Sequence, residues 1–186
     1  MEPSMGVRIK RWTRDEYERL VAAGHFHPEA RLQLIWGEIV EMTPQSAAHA
    51  TAVDAVLHAL LDIFREGHQV RAQFPLALSD DSEPEPDVAV VRGHRGDYSR
   101  SHPSSALLVV EVADTTLAFD RGPKLAMYAL AGIPEYWILN LPDRALEVYR
   151  EPTGDRYRVT RRLGPQETVA PVAAPDVCLQ VADLLP

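Results

Sequence analysis

Two acidic residues in this sequence stand where a charge is costly. Glu111 lies near the end of LLVVEVAD, the most apolar run in the chain, and Asp87 follows Pro84-Glu85-Pro86 to open the short apolar segment DVAVV. A carboxylate in an apolar strand must be paired, protonated or bound to a metal. If the two segments are neighbouring strands, the carboxylates converge at one sheet edge, and a hard divalent cation relieves their repulsion. Oxygen-only ligands suit Mg²⁺ or Mn²⁺ rather than zinc. Such a site activates water and stabilises charge on a phosphate under attack. Lys124 supplies the third element. It is one of two lysines, with Lys10, among nineteen Lys and Arg residues. Codon bias accounts for most of that skew, yet an ammonium is a compact point charge where a guanidinium is a planar fork. From the start of a helix, the stem of Lys124 can bring its ammonium to the carboxylates, to position hydroxide or counter a developing oxyanion. The same pattern admits a purely structural reading, with Asp87 capping a turn and Glu111 paired with an arginine.

These side chains need elements to position them. Thr13-Arg14-Asp15-Glu16 is a capping box that opens a helix running to about Ala23, and Gly24 stops it. RLQLIWGEIVEM (31–42) alternates apolar and polar residues around Trp36-Gly37 and predicts a β-hairpin. Val53, Val56, Leu57, Leu60, Leu61 and Phe64 keep helical spacing, so residues 46–66 predict a helix ended by Gly67. A strand is expected over 70–78, then the acidic, proline-broken turn SDDSEPEP, then a strand over 87–91. The run ALLVVEV (106–112) has the continuous apolarity of a central strand covered on both faces. A helix is expected over 121–131, a strand over 133–140, and antiparallel strands over 145–149 and 156–162. Strand, helix and strand from 106 to 140 form a βαβ unit, which implies a parallel pair in a mixed α/β fold.

Composition bounds the rest. At 186 residues the chain predicts a single domain, 1–186, with average hydrophobic (46%) and charged (25%) content. No apolar run reaches the roughly 18 residues of a membrane span, and no apolar stretch follows the basic residues of MEPSMGVRIKRW. One cysteine, Cys178, excludes an internal disulfide and a cysteine-rich zinc module. Together these features predict a cytoplasmic protein with no membrane partner. A net charge of −8 argues against coating nucleic acid by charge alone but not against an enzyme with a metal-neutralised acidic site.

The stretches PEPDVAVV and LLVVEVADTTLAFDRGPKLAMYALAGIPEYWILN, in that order and spacing, resemble the Uma-two family of restriction-endonuclease-like bacterial proteins. RLQLIWGEIVEMTPQSAAH resembles that family's N-terminal motif, and LEVYREPTGDRYR fits its closing strands; the likeness spans about residues 13 to 165. The resemblance implies a PD-(D/E)XK nuclease core: a mixed β-sheet flanked by helices, with an N-terminal helix and hairpin. Pro86-Asp87 matches the PD element and Glu111 the second acid. The usual lysine, two residues beyond that acid, is replaced here by Ala113; in the resembling family it stands on the following helix, where Lys124 fits. Glu38 fits an additional acid of the N-terminal motif. The set implied for catalysis is therefore Asp87, Glu111, Lys124 and Glu38, with Asp87, Glu111 and Glu38 holding Mg²⁺ or Mn²⁺.

Other residues are better read as structure. His49 is expected to cap or lie on the surface, and Asp114 and Asp120 to satisfy backbone amides or favour a helix N-terminus. Tyr128, Tyr136 and Trp137 fit the core. Gln73 is a candidate to face the site. The arginines of the 92–100 loop and of 156–162 read singly as a solvated face. Two functions from different classes follow: Mg²⁺-dependent endonucleolytic hydrolysis of DNA, in a homodimer if two-fold symmetry is used to cut both strands, or a non-catalytic binding or assembly module on the nuclease fold. A Ser or Cys hydrolase is poorly supported, because no G-x-S-x-G elbow is present.

Overall fold

The continuous apolar run becomes the centre of a six-stranded sheet. A computed structural model describes residues 8–27 and 29–186 of the chain. In chain order the elements that position the site are helix α1 (Arg14–Ala22), a hairpin of β1 (Leu32–Ile35) and β2 (Glu38–Glu41), and helix α2 (Ala47–Ile63). Strands β3 (His68–Ala72), β4 (Val88–Arg92) and β5 (Leu108–Ala113) follow, then a helical segment, and finally β6 (Glu135–Asn140), β7 (Ala145–Thr153) and β8 (Arg156–Leu163). Spatial order equals chain order, β3-β4-β5-β6-β7-β8. Only β5 and β6 run parallel in this sheet, as the βαβ pattern requires; all other neighbours are antiparallel.

Alternation along β5 divides the core in two. Leu108, Val110 and Val112 face α2, packing with Ala52, Val53, Val56 and Leu60. Val109 and Ala113 face the opposite way, among Met127, Tyr128 and Tyr136. Each fully buried Val or Leu contributes roughly 1.5–3 kcal/mol. Glu111 shares the second face with Val109 and Ala113, so its charge points into a covered layer.

The N-terminal elements form as expected. Thr13 and Glu16 make the reciprocal capping box of α1. Trp36 and Gly37 both take positive φ, 55° and 72°, the requirement of a tight hairpin turn. A Cβ at Gly37 would stand 2.8 Å from the Arg11 Cβ, so glycine is needed there for space as well as φ. The acidic segment after β3 lies along this hairpin: Glu83 N donates to Leu34 O (2.7 Å) and Trp36 N donates to Ser82 Oγ (3.1 Å). The hairpin therefore guides the chain into Asp87.

Two boundaries differ from expectation. The strand expected over 70–78 ends at Ala72, because Gln73 turns to φ 54° and donates its N–H to Pro86 O and Asp87 O (both 3.1 Å). The helix expected from Arg121 starts earlier, in three parts: α3 (Leu117–Phe119), a π-helical turn (Asp120–Lys124) and α4 (Leu125–Leu130). Pro123 lacks the N–H that an α-turn needs, and its ring crowds the carbonyl four residues back; the wider π-turn accommodates both. Beyond β8 the chain adds the short pair β9 (Thr168–Val169) and β10 (Leu179–Gln180) and a 3₁₀ turn, Val181–Leu184, which packs on the α2 side of the core. No helix among the described residues is long and apolar enough to cross a membrane.

Candidate active site

Asp87, Glu111 and Lys124, contributed by three different segments, meet under one cavity. The β4–β5 register, Val88 opposite Val110, places Asp87 beside Glu111. Beyond Val88, strand β5 has lost its backbone partner on that side, and the Asp87 carboxylate takes over: its Oδ2 accepts from Val112 N at 2.9 Å. Glu111 Oε2 accepts in turn from Asp87 N at 3.4 Å. Across the covered face, Lys124 Nζ lies 2.8 Å from Glu111 Oε1 and 3.7 Å from Asp120 Oδ1. Tyr128, one turn further along the helix, donates its hydroxyl to Glu111 Oε1 at 2.7 Å. The residues are 7%, 3% and 1% exposed for Asp87, Glu111 and Lys124, and 1% for Asp120.

Burial and charge act against each other here. Burial pushes the Glu111 carboxyl up to about 7, only partly offset by the Lys124 ammonium, while Asp87 and Asp120 raise it further. Asp120 is raised for the same first reason, burial, against the pull of Lys124 and the Thr116 hydroxyl. Burial opposes the charge of Lys124, yet the Glu111 and Asp120 carboxylates outweigh it and hold its pKa above the ordinary value. Asp87 is likewise penalised by burial, but His49 and Val112 N bring it below the usual carboxylate range.

The surrounding cavity, about 310 Å³, is lined by Glu85, Asp87, Glu111, Asp114 and Asp120 against only two full cations, Arg31 and Lys124. His49 Nε2 approaches Asp87 Oδ2 to 3.2 Å from the first turn of α2. Ser46 caps that helix at His49 N (3.1 Å) and donates its hydroxyl to Asp114 Oδ2 (2.8 Å), tying α2 to the loop after β5. Gln73 Nε2 donates to Asp87 Oδ1 at 3.2 Å.

Of the four residues expected from the sequence, three converge and one does not. Glu38 is a correction: on β2 its side chain is largely solvent-exposed, ion-paired with Arg11, and absent from the cavity lining. Its strand position, in the pattern of burial eiie, turns it outward from the hairpin. His49 and Asp120 are corrections in the other direction. Both read as surface or capping residues, and both stand at the site; Tyr128 belongs to the core and to the site at once. Serine-capped helix spacing was the available signal for His49, and the i, i+4 relation to Lys124 was the signal for Asp120.

The donor set suits a hard cation. Three more carboxylates than full cations line one cavity, and every named ligand candidate is an oxygen. Among the described residues no three His, Cys, Asp or Glu side chains stand close enough together to hold a metal ion. That argues against a closed zinc-type cage and fits Mg²⁺, which is bound through one or two carboxylates while water and substrate phosphate complete its shell. Asp87 and Glu111 are the pair that would hold it.

Comparison with known proteins agrees with this architecture. No curated protein matches the chain. Among solved structures it is similar to one described as "a putative nuclease belonging to DUF820" from Anabaena variabilis ATCC 29413, with a TM-score of 0.73 and 17% sequence identity over 92% of this chain and 96% of that one. At that identity the likeness speaks for the fold, here a mixed α/β nuclease fold. The family model described as "Uma2: Putative restriction endonuclease" matches residues 14–182, and the chain belongs to that family.

Proposed function

We propose that the protein is a Mg²⁺- or Mn²⁺-dependent nuclease that hydrolyses phosphodiester bonds in DNA. The observation that carries this reading is the burial of Asp87, Glu111 and Lys124 together, with a 2.8 Å Lys124–Glu111 ion pair at the floor of an acidic cavity. Family membership and the nuclease fold support it.

Asp87 and Glu111 would hold the cation. Bound there, a divalent cation supplies Lewis-acid polarisation of a phosphoryl oxygen and easier deprotonation of water. Val112 N, Gln73 and His49 fix the Asp87 carboxylate, so its orientation is set before substrate arrives. Glu111 and Asp120 hold the Lys124 ammonium charged although it is buried, and Tyr128 fixes Glu111 from the other side. That ammonium is placed to orient the attacking water and to stabilise negative charge growing on the phosphate. Because its neighbours already orient it, little reorganisation is needed at the moment of reaction.

The test is cleavage of several DNA forms with Mg²⁺ or Mn²⁺ by the wild type, Asp87→Ala and Lys124→Ala. Loss of about 100-fold or more in rate in both variants is expected, the magnitude of removing a transition-state electrostatic contact. Equal activity in all three proteins would assign any nicking to a contaminant.

A further inference from the structure

The cavity has a second half that the hydrolytic groups do not use. Gln33, on β1, lines it and is only 3% exposed. Its Nε2 donates to Glu85 O at 3.4 Å, which fixes the amide orientation, since the opposite one would set two acceptors face to face. Its Oε1 is thereby left buried with no hydrogen-bond partner. A buried orphan acceptor costs on the order of 1–3 kcal/mol unless something donates to it.

Arg31 lines the same half, one step before β1. Among the described residues no carboxylate lies within ion-pair distance of it, although Glu85 shares the cavity. With its amide oxygen turned inward, Gln45 accepts from both terminal nitrogens of Arg31 at 3.2 Å and also from Gln73. A guanidinium carries five N–H donors, so donors remain for an anion.

The depth of the reacting groups limits what can reach them. At 7% exposure or less, Asp87, Glu111 and Lys124 contact only what enters the cavity. A volume of about 310 Å³ stands at the small end of ligand pockets, the size of a single nucleotide rather than a stretch of duplex. Enzymes that work in such pockets act on single strands or extrude one nucleotide from the stack.

We propose that this cavity is a chamber for one unpaired nucleotide, in which Gln33 accepts from an exocyclic amino group of the base and Arg31 takes a backbone phosphate. Single-stranded DNA is then the preferred form, and adenine or cytosine is preferred to thymine, which has no amino group to offer. The inference rests on the hydrolytic reading for its class of ligand, but its test is a binding measurement.

Fluorescence anisotropy of labelled single strands of roughly ten nucleotides, dA, dC and dT homopolymers, with a duplex of the same length, decides it. Ca²⁺ replaces Mg²⁺ so that binding is read apart from cleavage. The wild type should bind dA and dC about tenfold more tightly than dT, the scale of one well-placed hydrogen bond. Gln33→Met should bring the three strands within about twofold of one another, whereas Arg31→Met should weaken all of them alike. The duplex should bind at least about tenfold more weakly than the dA strand. Duplex binding as tight as single-strand binding, a base preference that survives Gln33→Met, or no binding of any strand overturns the chamber. If Gln33→Met fails to fold by circular dichroism, the wild-type preferences and Arg31→Met still decide. The two proposals part cleanly: base-selective binding without cleavage in Mg²⁺ or Mn²⁺ sinks hydrolysis alone, and cleavage without base or strand preference sinks the chamber alone.

Discussion

Lys124 keeps its charge in the interior because two carboxylates wait for it, and they tolerate burial because it is there. Removing one member of such a group is costly. Lys124→Met should lower thermal stability by an amount corresponding to about 3–5 kcal/mol, since Glu111 and Asp120 lose their shared cation. A melt indistinguishable from wild type would show that the ammonium is not held as described. Glu38 makes the contrasting case. Its exposed pair with Arg11 contributes at most about 1 kcal/mol, so Glu38→Ala should leave both cleavage rate and metal affinity unchanged in assay and calorimetry. Outside the site, burial and the neighbouring Glu18 side chain push the Glu83 carboxyl up to about 7. Its folded pKa therefore exceeds its unfolded value, and ionisation costs stability as pH rises from the ordinary 4.5 through about 7. Glu83→Gln should raise the melting temperature at pH 8 and leave it unchanged near pH 4; an equal gain at both would contradict the assignment. Asp87, Glu111 and Lys124 were legible in the sequence because a charge in an apolar strand and a rare lysine are visible one residue at a time. His49, Asp120 and Gln33 were not, since their roles arise from what the fold sets opposite them.

At the scale of elements, periodicity was most readable where both partners were local. The Trp36-Gly37 hairpin, the Ser46-capped α2 and the parallel β5–β6 pair all follow from short-range pattern. The π-turn was less legible: Pro123 announces an interruption but not its form. That turn sets the angle at which Lys124 enters the cavity, and Trp36 Nε1 braces it by donating to Pro123 O at 3.2 Å. Pro123→Ala restores an N–H and lets the segment tighten toward regular α-helix. It should cost more in cleavage rate than in stability, with a rate loss of about tenfold or more from misplacing the ammonium. Unchanged kinetics would show that the turn is not what positions Lys124. The end of β3 at Ala72 was hidden for a different reason. Gln73 takes a positive φ to serve Pro86 and Asp87, a tertiary demand that overrides the apolar alternation of its segment.

Over the whole molecule, one sheet carries two separate covered faces, and the site opens where β4 stops short of β5. The α2 face is closed in part by the C-terminal 3₁₀ turn, whose Val181 and Leu184 are buried against it. Leu184→Ala should destabilise the fold by about 2–5 kcal/mol while leaving catalysis intact below the melting temperature, because the reacting groups hang from the other face. The claim on which the rest depends is that Asp87 and Glu111 jointly hold a cation beside the Lys124 ammonium. A crystal grown with Mn²⁺ tests it most directly through the metal's anomalous signal. The account predicts one strong peak about 2.0–2.3 Å from a carboxylate oxygen of each acid, with Lys124 still paired to Glu111. A peak elsewhere on the molecule, or none at saturating Mn²⁺, would contradict it.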